Sequence, residues 1–182
     1  VTALVEAFAS FETSAWRLEA RDTYSVRVYD DALAAFLAGQ SMPPRTDGWA
    51  EVVAGARSRG AEIGRVRLIG HPITDYTRFE FALYPDNVAF GEDVRIVDRT
   101  WLHGSWAAAP DVWLFDDRQA FLLHYGDDGA FLGVDETDAV AAGELRDAVA
   151  DYAVPLARYD LASPPTSPVA VASAPLPEAF VM

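Results

Sequence analysis

GRVRLIGHPITDYTRFEFALYPDNVAFGEDVRIV, residues 64–97, is the stretch that decides the fold. Val66, Leu68 and Ile69 make a strand, the turn-rich HisProIleThrAsp at 71–75 stops it, residues 75–90 follow as a helix, and Val94, Ile96 and Val97 make a second strand. Strand, helix and strand in succession form a βαβ unit, which predicts two parallel strands joined by a right-handed crossover. On a 3.6-residue wheel the helix gathers Tyr76, Phe79, Leu83 and Phe90, while Phe81, Tyr84 and Val88 continue around its far side, so it is expected to touch neighbours over most of its girth.

On the N-terminal side, Leu4, Val5, Phe8 and Phe11 predict an opening helix, and Trp16 to Glu19 a short strand. Leu33, Phe36 and Leu37 behind Asp30 or Asp31 predict a helix ending at Gly39. Trp49, Val52, Val53 and Ala56 behind Asp47 predict another ending at Gly60, with a SerMetProProArg loop at 41–45 between them. On the C-terminal side come strands at Val112 to Phe115, Ala120 to Tyr125 and Ala130 to Val134, the last two joined by a GlyAspAspGly hairpin turn at 126–129. A final helix over 138–159 aligns Leu145, Val149, Tyr152, Leu156 and Tyr159 in one stripe, with a kink expected at Pro155. The predicted fold class is α/β (α+β): one domain over residues 1–160, a mixed sheet of five to six strands flanked by helices. Residues 161–182, rich in Pro, Ser and Ala, read as an extended tail outside the core; if anything holds it, ProLeuProGluAlaPheValMet at 175–182 is the segment that docks.

Length and composition agree with one folded domain, since 182 residues that are 51% apolar and 12% aromatic supply a core. The absence of cysteine excludes disulfides, thiolate metal sites and a cysteine nucleophile, and favours a reducing compartment. With no apolar run long enough to span a bilayer and no signal-like N-terminus, a cytoplasmic protein is expected. A net charge of −14, with every cation an arginine, argues against direct nucleic-acid binding and for solvation or a basic protein partner.

Catalytic motifs are missing. A chain without lysine has no phosphate-binding GxxxxGK[ST] loop, and neither GxGxxG nor GxSxG occurs. His71, His103 and His124 are too far apart for a helical metal pair, so no metal and no cofactor are expected. Two constellations stand out. Glu80 falls between Leu83 and Tyr84 on the wheel, so its carboxylate is expected to be partly buried and to need a donor, for which Arg17, Arg67 and Arg95 on neighbouring strands are candidates. That arrangement reads either as a buried ion pair fixing helix to sheet or as a pocket whose arginine holds an anionic ligand. Asp75 and Arg78, at the start of the same helix, are expected to pair with each other. The second is AspValTrpLeuPheAspAsp at 111–117 with His124 beyond it. Asp116 and Asp117 suit a cation or acid–base work, or simply a turn.

TrpArgLeuGlu at 16–19, ArgValArgLeuIle at 65–69, AspTyrThrArgPheGlu at 75–80, GlyGluAspValArg at 91–95 and AspValTrpLeuPheAspAsp at 111–117, in this order, resemble an uncharacterised actinobacterial domain family often encoded beside helix-turn-helix regulators. The resemblance runs from about Phe11 to Tyr159. That family is in turn remotely similar to the phospholipase D-like half-domain, whose chemistry needs a lysine two residues after a histidine. Here Ile73, Ser105 and Gly126 stand at those positions, so the resemblance implies a degenerate site.

The leading expectation is a non-catalytic regulatory or interaction domain that binds a protein or a small anionic ligand through residues among Arg17, Arg67, Tyr76, Arg78, Glu80, Arg95, Asp116 and Asp117. The rival is a small-molecule or peptide-modifying enzyme with a site assembled from His71, Asp75, Glu80, Asp116 and His124, which requires these side chains to converge on one cleft. A third reading is a homo-oligomer subunit that uses its tail as a clamp.

Overall fold

The computed structural model describes residues 1–169 and 175–180. Along the chain it runs α1 (Thr2–Ser10), β1 (Ser14–Glu19), α2 (Asp30–Leu37), α3 (Trp49–Ser58), β2 (Glu62–Ile69), α4 (Asp75–Phe90), β3 (Asp93–Asp98), β4 (Asp111–Phe115), β5 (Gln119–Tyr125), β6 (Phe131–Thr137), α5 (Ala139–Ala150) and β7 (Val154–Pro155). The strands form one mixed sheet in the order β6-β5-β4-β1-β2-β3-β7. The βαβ reading holds: β2 and β3 are parallel neighbours joined by α4, β1 is parallel to β2, and the remaining pairings are antiparallel.

Strand alternation assigns the two faces. Leu18, Val66, Leu68, Val112 and Leu114 pack in one cluster with Ala142, Leu145 and Val149 of α5. The opposite face carries Ala15, Ile63, Trp113, Phe115 and Phe121, which pack with Ala7, Phe11, Val53 and Ala56 from the α1 and α3 regions. The same register places Arg17, Glu19, Arg65, Arg67 and Asp111 on this second face, all but Arg65 among the buried charged side chains. The crossover helix α4 therefore covers charges rather than a dry apolar sheet.

Helix α4 is bounded by Thr74, whose Oγ1 accepts from the Thr77 N–H at 3.0 Å, and by Gly91, whose φ of +109° suits the left-handed C-terminal cap. Pro85 sits inside it on the exposed side, where the carbonyl left without an N–H partner can reach water. Tyr76, Phe79, Glu80, Leu83, Tyr84 and Asn87 are buried. Val88 is not, being 47% exposed, so the helix is buried over one broad side and not over most of its girth.

The final helix is shorter than the stripe predicts: α5 stops at Ala150, and Val154–Pro155 instead pair with Ile96 and Arg95 at the sheet edge. Proline lacks an N–H and pushes the preceding residue to extended backbone, so the helix ends before Pro155 and the proline is accommodated on an edge strand. Tyr159 still reaches the core, from a 3-10 turn. Part of the tail does too. Leu176 and Phe180 are 1% and 5% exposed in the cluster that contains Trp101, Trp106 and Tyr159, and the Leu176 N–H donates to Ser105 Oγ at 2.9 Å. The expectation that residues 161–182 lie outside the core is corrected at these two positions; Val181 and Met182 fall outside the described residues. Among the described residues no helix is long and apolar enough to cross a membrane.

Candidate functional site

Between α4, the charged face of the sheet and the segment leading into α2 lies a cavity of about 300 Å³, at the small end of the range for ligand pockets. Its floor comes from β1, β2 and β4 through Arg17, Glu19, Arg65 and Trp113; α4 supplies Glu80, Leu83, Tyr84 and Asn87; Tyr29, Arg45, Asp47 and Trp49 close the side. Val28, about half exposed, stands at its edge.

An ion-pair network built on strand alternation organises this floor. Arg17 and Arg65 are register partners on adjacent parallel strands, so their side chains leave the same face side by side. Arg17 Nε donates to Glu19 Oε1 at 3.0 Å and Nη2 donates to Asp111 Oδ1 and Tyr125 Oη at 3.3 and 3.2 Å. Arg65 Nη1 reaches the same Glu19 oxygen at 2.9 Å, and its Nε donates to Glu92. Trp49 Nε1 and Asn87 Nδ2 also donate to Glu92, at 2.6 and 2.8 Å. Guanidinium planes lie over ring faces: Arg17 over Trp113 at 5.3 Å, and Arg65 over Trp49 and Tyr84 at 5.7 and 5.8 Å.

The carboxyl groups are pushed in different directions. Burial alone would raise Glu19, but Arg65, Arg17 and Arg67 outweigh it and hold the group at about 2. Glu80 goes the other way. Burial raises it to about 7, Glu19 adds to that, and Arg67 offsets only part. Arg67 Nη2 lies 2.8 Å from Glu80 Oε2 in a contact poorly aligned for a hydrogen bond, and its pull on the carboxyl does not overcome burial. Arg67 is fully buried, over the Tyr24 ring, and one of its Nη atoms donates to the Arg21 carbonyl. Asp111 is raised by burial although Arg17 and a 2.5 Å hydrogen bond from Tyr24 Oη work against that.

Of the residues proposed from sequence, Arg17 and Glu80 line this pocket, and Arg67 and Tyr76 belong to its buried surroundings. The others are elsewhere. Arg78 pairs with Asp75 at 3.1 Å on the exposed start of α4, as their spacing predicts. Arg95 does not reach Glu80. In the parallel β2–β3 register it stands opposite Val66, hence on the α5 face, where it pairs with Asp93 at 2.8 Å. Asp116 and Asp117 form a tight turn with φ of +52° and +55°, and the Arg118 N–H donates to the Phe115 carbonyl at 2.9 Å, so the turn reading of this pair is the one realised. Asp116 accepts from the N–H groups of Glu12, Thr13 and Ser14 and from Thr13 Oγ1, all within 2.9 Å; these bonds outweigh its burial and hold its carboxyl at about 2. Asp117 pairs with Arg146.

The convergence that an enzyme reading requires is not found. His71 Nε2 contacts Asp98 at 2.8 Å and His124 Nε2 contacts Asp135 at 2.9 Å, while Asp75, Glu80 and Asp116 each bond to another set of partners. Among the described residues no three histidine or carboxylate side chains are grouped as metal ligands would be. Sequence reasoning missed Glu19, Arg65, Glu92 and the aromatic walls Trp49, Tyr84 and Trp113. The usable signal was the run Arg17-Leu18-Glu19 beside Arg65-Val66-Arg67, charges two apart on strands central enough to be buried on both faces.

A mixed-sheet α/β domain whose crossover helix roofs a charged, aromatic-walled pocket is the class that fold and site define. The chain belongs to the family DUF6879, a domain of unknown function, whose profile matches residues 2–160. No curated protein matches it.

Proposed function

We propose that this chain is a non-catalytic regulatory domain that binds a small molecule in the pocket beneath α4. One observation carries the reading: a cavity of about 300 Å³ is lined at once by the buried charged side chains Arg17, Glu19 and Glu80 and by the rings of Trp49, Tyr84 and Trp113. Buried charged groups around a cavity are costly to leave without partners, and a bound polar group recovers part of that cost. Scattered histidines and carboxylates count against the enzyme reading. The resemblance to a phospholipase D-like half-domain adds to that, since no lysine exists to complete its chemistry. A role beside a helix-turn-helix regulator, implied by the family resemblance, supplies the output in this proposal: the bound domain contacts its protein partner differently from the empty one. The lack of cysteine supports placing it in the cytoplasm.

A thermal-shift screen of a fragment and metabolite library on wild type and on Val28→Trp, a bulky side chain at the pocket edge, tests this. A ligand at about 100 times its Kd stabilises by roughly 2.7 kcal/mol, about 5–10 °C for a chain of this size. We expect hits of this order on wild type that vanish in the variant. No hits, or hits that stabilise both proteins equally, would overturn the proposal.

A further inference from the structure

Which ligand the pocket takes follows from what its lining leaves unsatisfied, an inference that rests on the ligand-binding reading above. Apart from Glu80, whose Oε2 meets Arg67 Nη2 at 2.8 Å, the carboxylate acceptors are occupied: Glu19 receives Arg17, Arg65 and Tyr84, Glu92 receives Arg65, Trp49 and Asn87, and Asp47 receives Arg45 and Tyr29. The donors are not. The hydrogen bonds of Arg17 to the described residues run through Nε and Nη2 and those of Arg65 through Nε and Nη1, which leaves Arg17 Nη1 and Arg65 Nη2 for a ligand on side chains that line the cavity and are only 7% and 12% exposed. They come from register partners on adjacent strands, the spacing at which one carboxylate can bridge two guanidinium groups. A cationic ligand would instead meet a guanidinium over each of Trp49, Tyr84 and Trp113. Those rings and Leu83 suit a flat apolar body, and about 300 Å³, the liquid volume of roughly ten waters, limits it to one or two fused rings.

We propose that the pocket binds a flat aromatic carboxylic acid, its carboxylate on Arg17 Nη1 and Arg65 Nη2, its ring against Trp49, Tyr84 and Trp113, with Glu80 protonated in the complex. The proton follows from charge balance. Arg17 and Arg65 face Glu19, Glu92 and Asp111, and Arg67 faces Glu80, so these guanidinium groups are already outnumbered by carboxylates, and a ligand carboxylate enters without adding net negative charge only if Glu80 takes up a proton. The groups facing Glu80 are Arg67 and Arg65 from β2, Glu19 from β1, and Tyr76 and Tyr84 on its own helix. Its carboxyl already lies near neutrality in the empty pocket.

Calorimetric titration of the full chain with indole-3-carboxylate, its neutral isostere indole-3-carboxamide and the non-aromatic cyclohexanecarboxylate tests the class of ligand. At pH 6.5 we expect the aromatic acid to bind at least tenfold more tightly than either comparator. For a carboxyl titrating at about 7 its affinity falls about twentyfold between pH 6.5 and 8.5, and Glu80→Gln abolishes that dependence. Should the carboxamide or cyclohexanecarboxylate match the acid, or the acid fail to bind while other compounds in the thermal screen do, the aromatic-acid proposal falls and the pocket stands. An affinity unchanged with pH overturns the protonated Glu80. If no compound in the screen binds at all, the failure belongs to the ligand-binding reading itself.

Discussion

Replacing Glu80 by Gln keeps its shape and removes its titration, which makes the stability of the pocket's roof measurable. In the folded chain the Glu80 carboxyl is raised from 4.5 to about 7, chiefly by burial, with Glu19 adding to the effect. A folded-state value above the unfolded one means that the native protein binds this proton more tightly. The associated stability is present in full below about pH 4.5 and is lost as pH rises through 7. Two and a half pH units at about 1.4 kcal/mol each give a loss of about 3 kcal/mol, complete near pH 8. Glu80→Gln escapes that loss. Relative to wild type the variant gains about 1 kcal/mol at pH 5, about 2 at pH 6 and about 3 at pH 8 over their difference in acid. Urea denaturation followed by far-ultraviolet circular dichroism across pH 4–8.5 reads the difference directly, with unchanged m values confirming that the unfolded reference is the same. If Arg67 instead governs Glu80, the carboxyl is depressed, and Glu80→Gln becomes progressively less stable than wild type above pH 4. That sign would refute the reasoning.

Arg67→Met at pH 8 removes the fully buried cation and strands Glu80, and is expected to cost about 3–5 kcal/mol in urea denaturation, with Glu80→Gln in the same chain recovering part of it; additive single effects would deny the coupling. Asp116→Ala deletes three hydrogen bonds to the loop between α1 and β1 and one to Ser14 at the start of β1, and a side chain suited to left-handed backbone, a loss of about 2–3 kcal/mol at pH 7. Because the Asp116 carboxyl is held at about 2, the wild-type advantage should shrink as pH falls from about 4 to 2, and an advantage constant over that range would contradict its source. Leu176→Ala should lower stability by about 2–4 kcal/mol if the tail is part of the core; an unchanged melting temperature would show that residues 175–180 dissociate freely.

The architecture was legible because its signals are local. Val66, Leu68, Ile69, the capped helix at 75–90 and Val94 to Val97 name their own secondary structure, and the turn at 126–129 is fixed by Gly129, whose φ is +78° and whose missing Cβ would stand 2.9 Å from the Thr23 carbonyl. The stripe from Leu145 to Tyr159 misled because three-and-four spacing survives a change from helix to strand and turn once Pro155 intervenes. The pocket was half legible. Burial of Glu80 follows from the helix wheel, and its pairing with Arg67 follows from the βαβ unit, but the choice between Arg67 and Arg95 depends on how β3 is set against β2, which no local pattern encodes. Arg65, Glu92 and Trp49 come together only through register and helix docking, over separations that periodicity does not reach. Leu176 and Phe180 were hidden by a proline-rich context that lacks the spacing of any regular element.

Five tryptophans provide the most direct test of the pocket. Trp49 and Trp113 line it, whereas Trp16, Trp101 and Trp106 pack with the cluster on the α5 side of the sheet. Indole N–H resonances in a two-dimensional ¹⁵N–¹H NMR titration with a compound that raises the melting temperature therefore report where it binds. The account predicts that Trp49 and Trp113 shift together and saturably while the other three stay in place. Shifts confined to Trp16, Trp101 or Trp106 would contradict it.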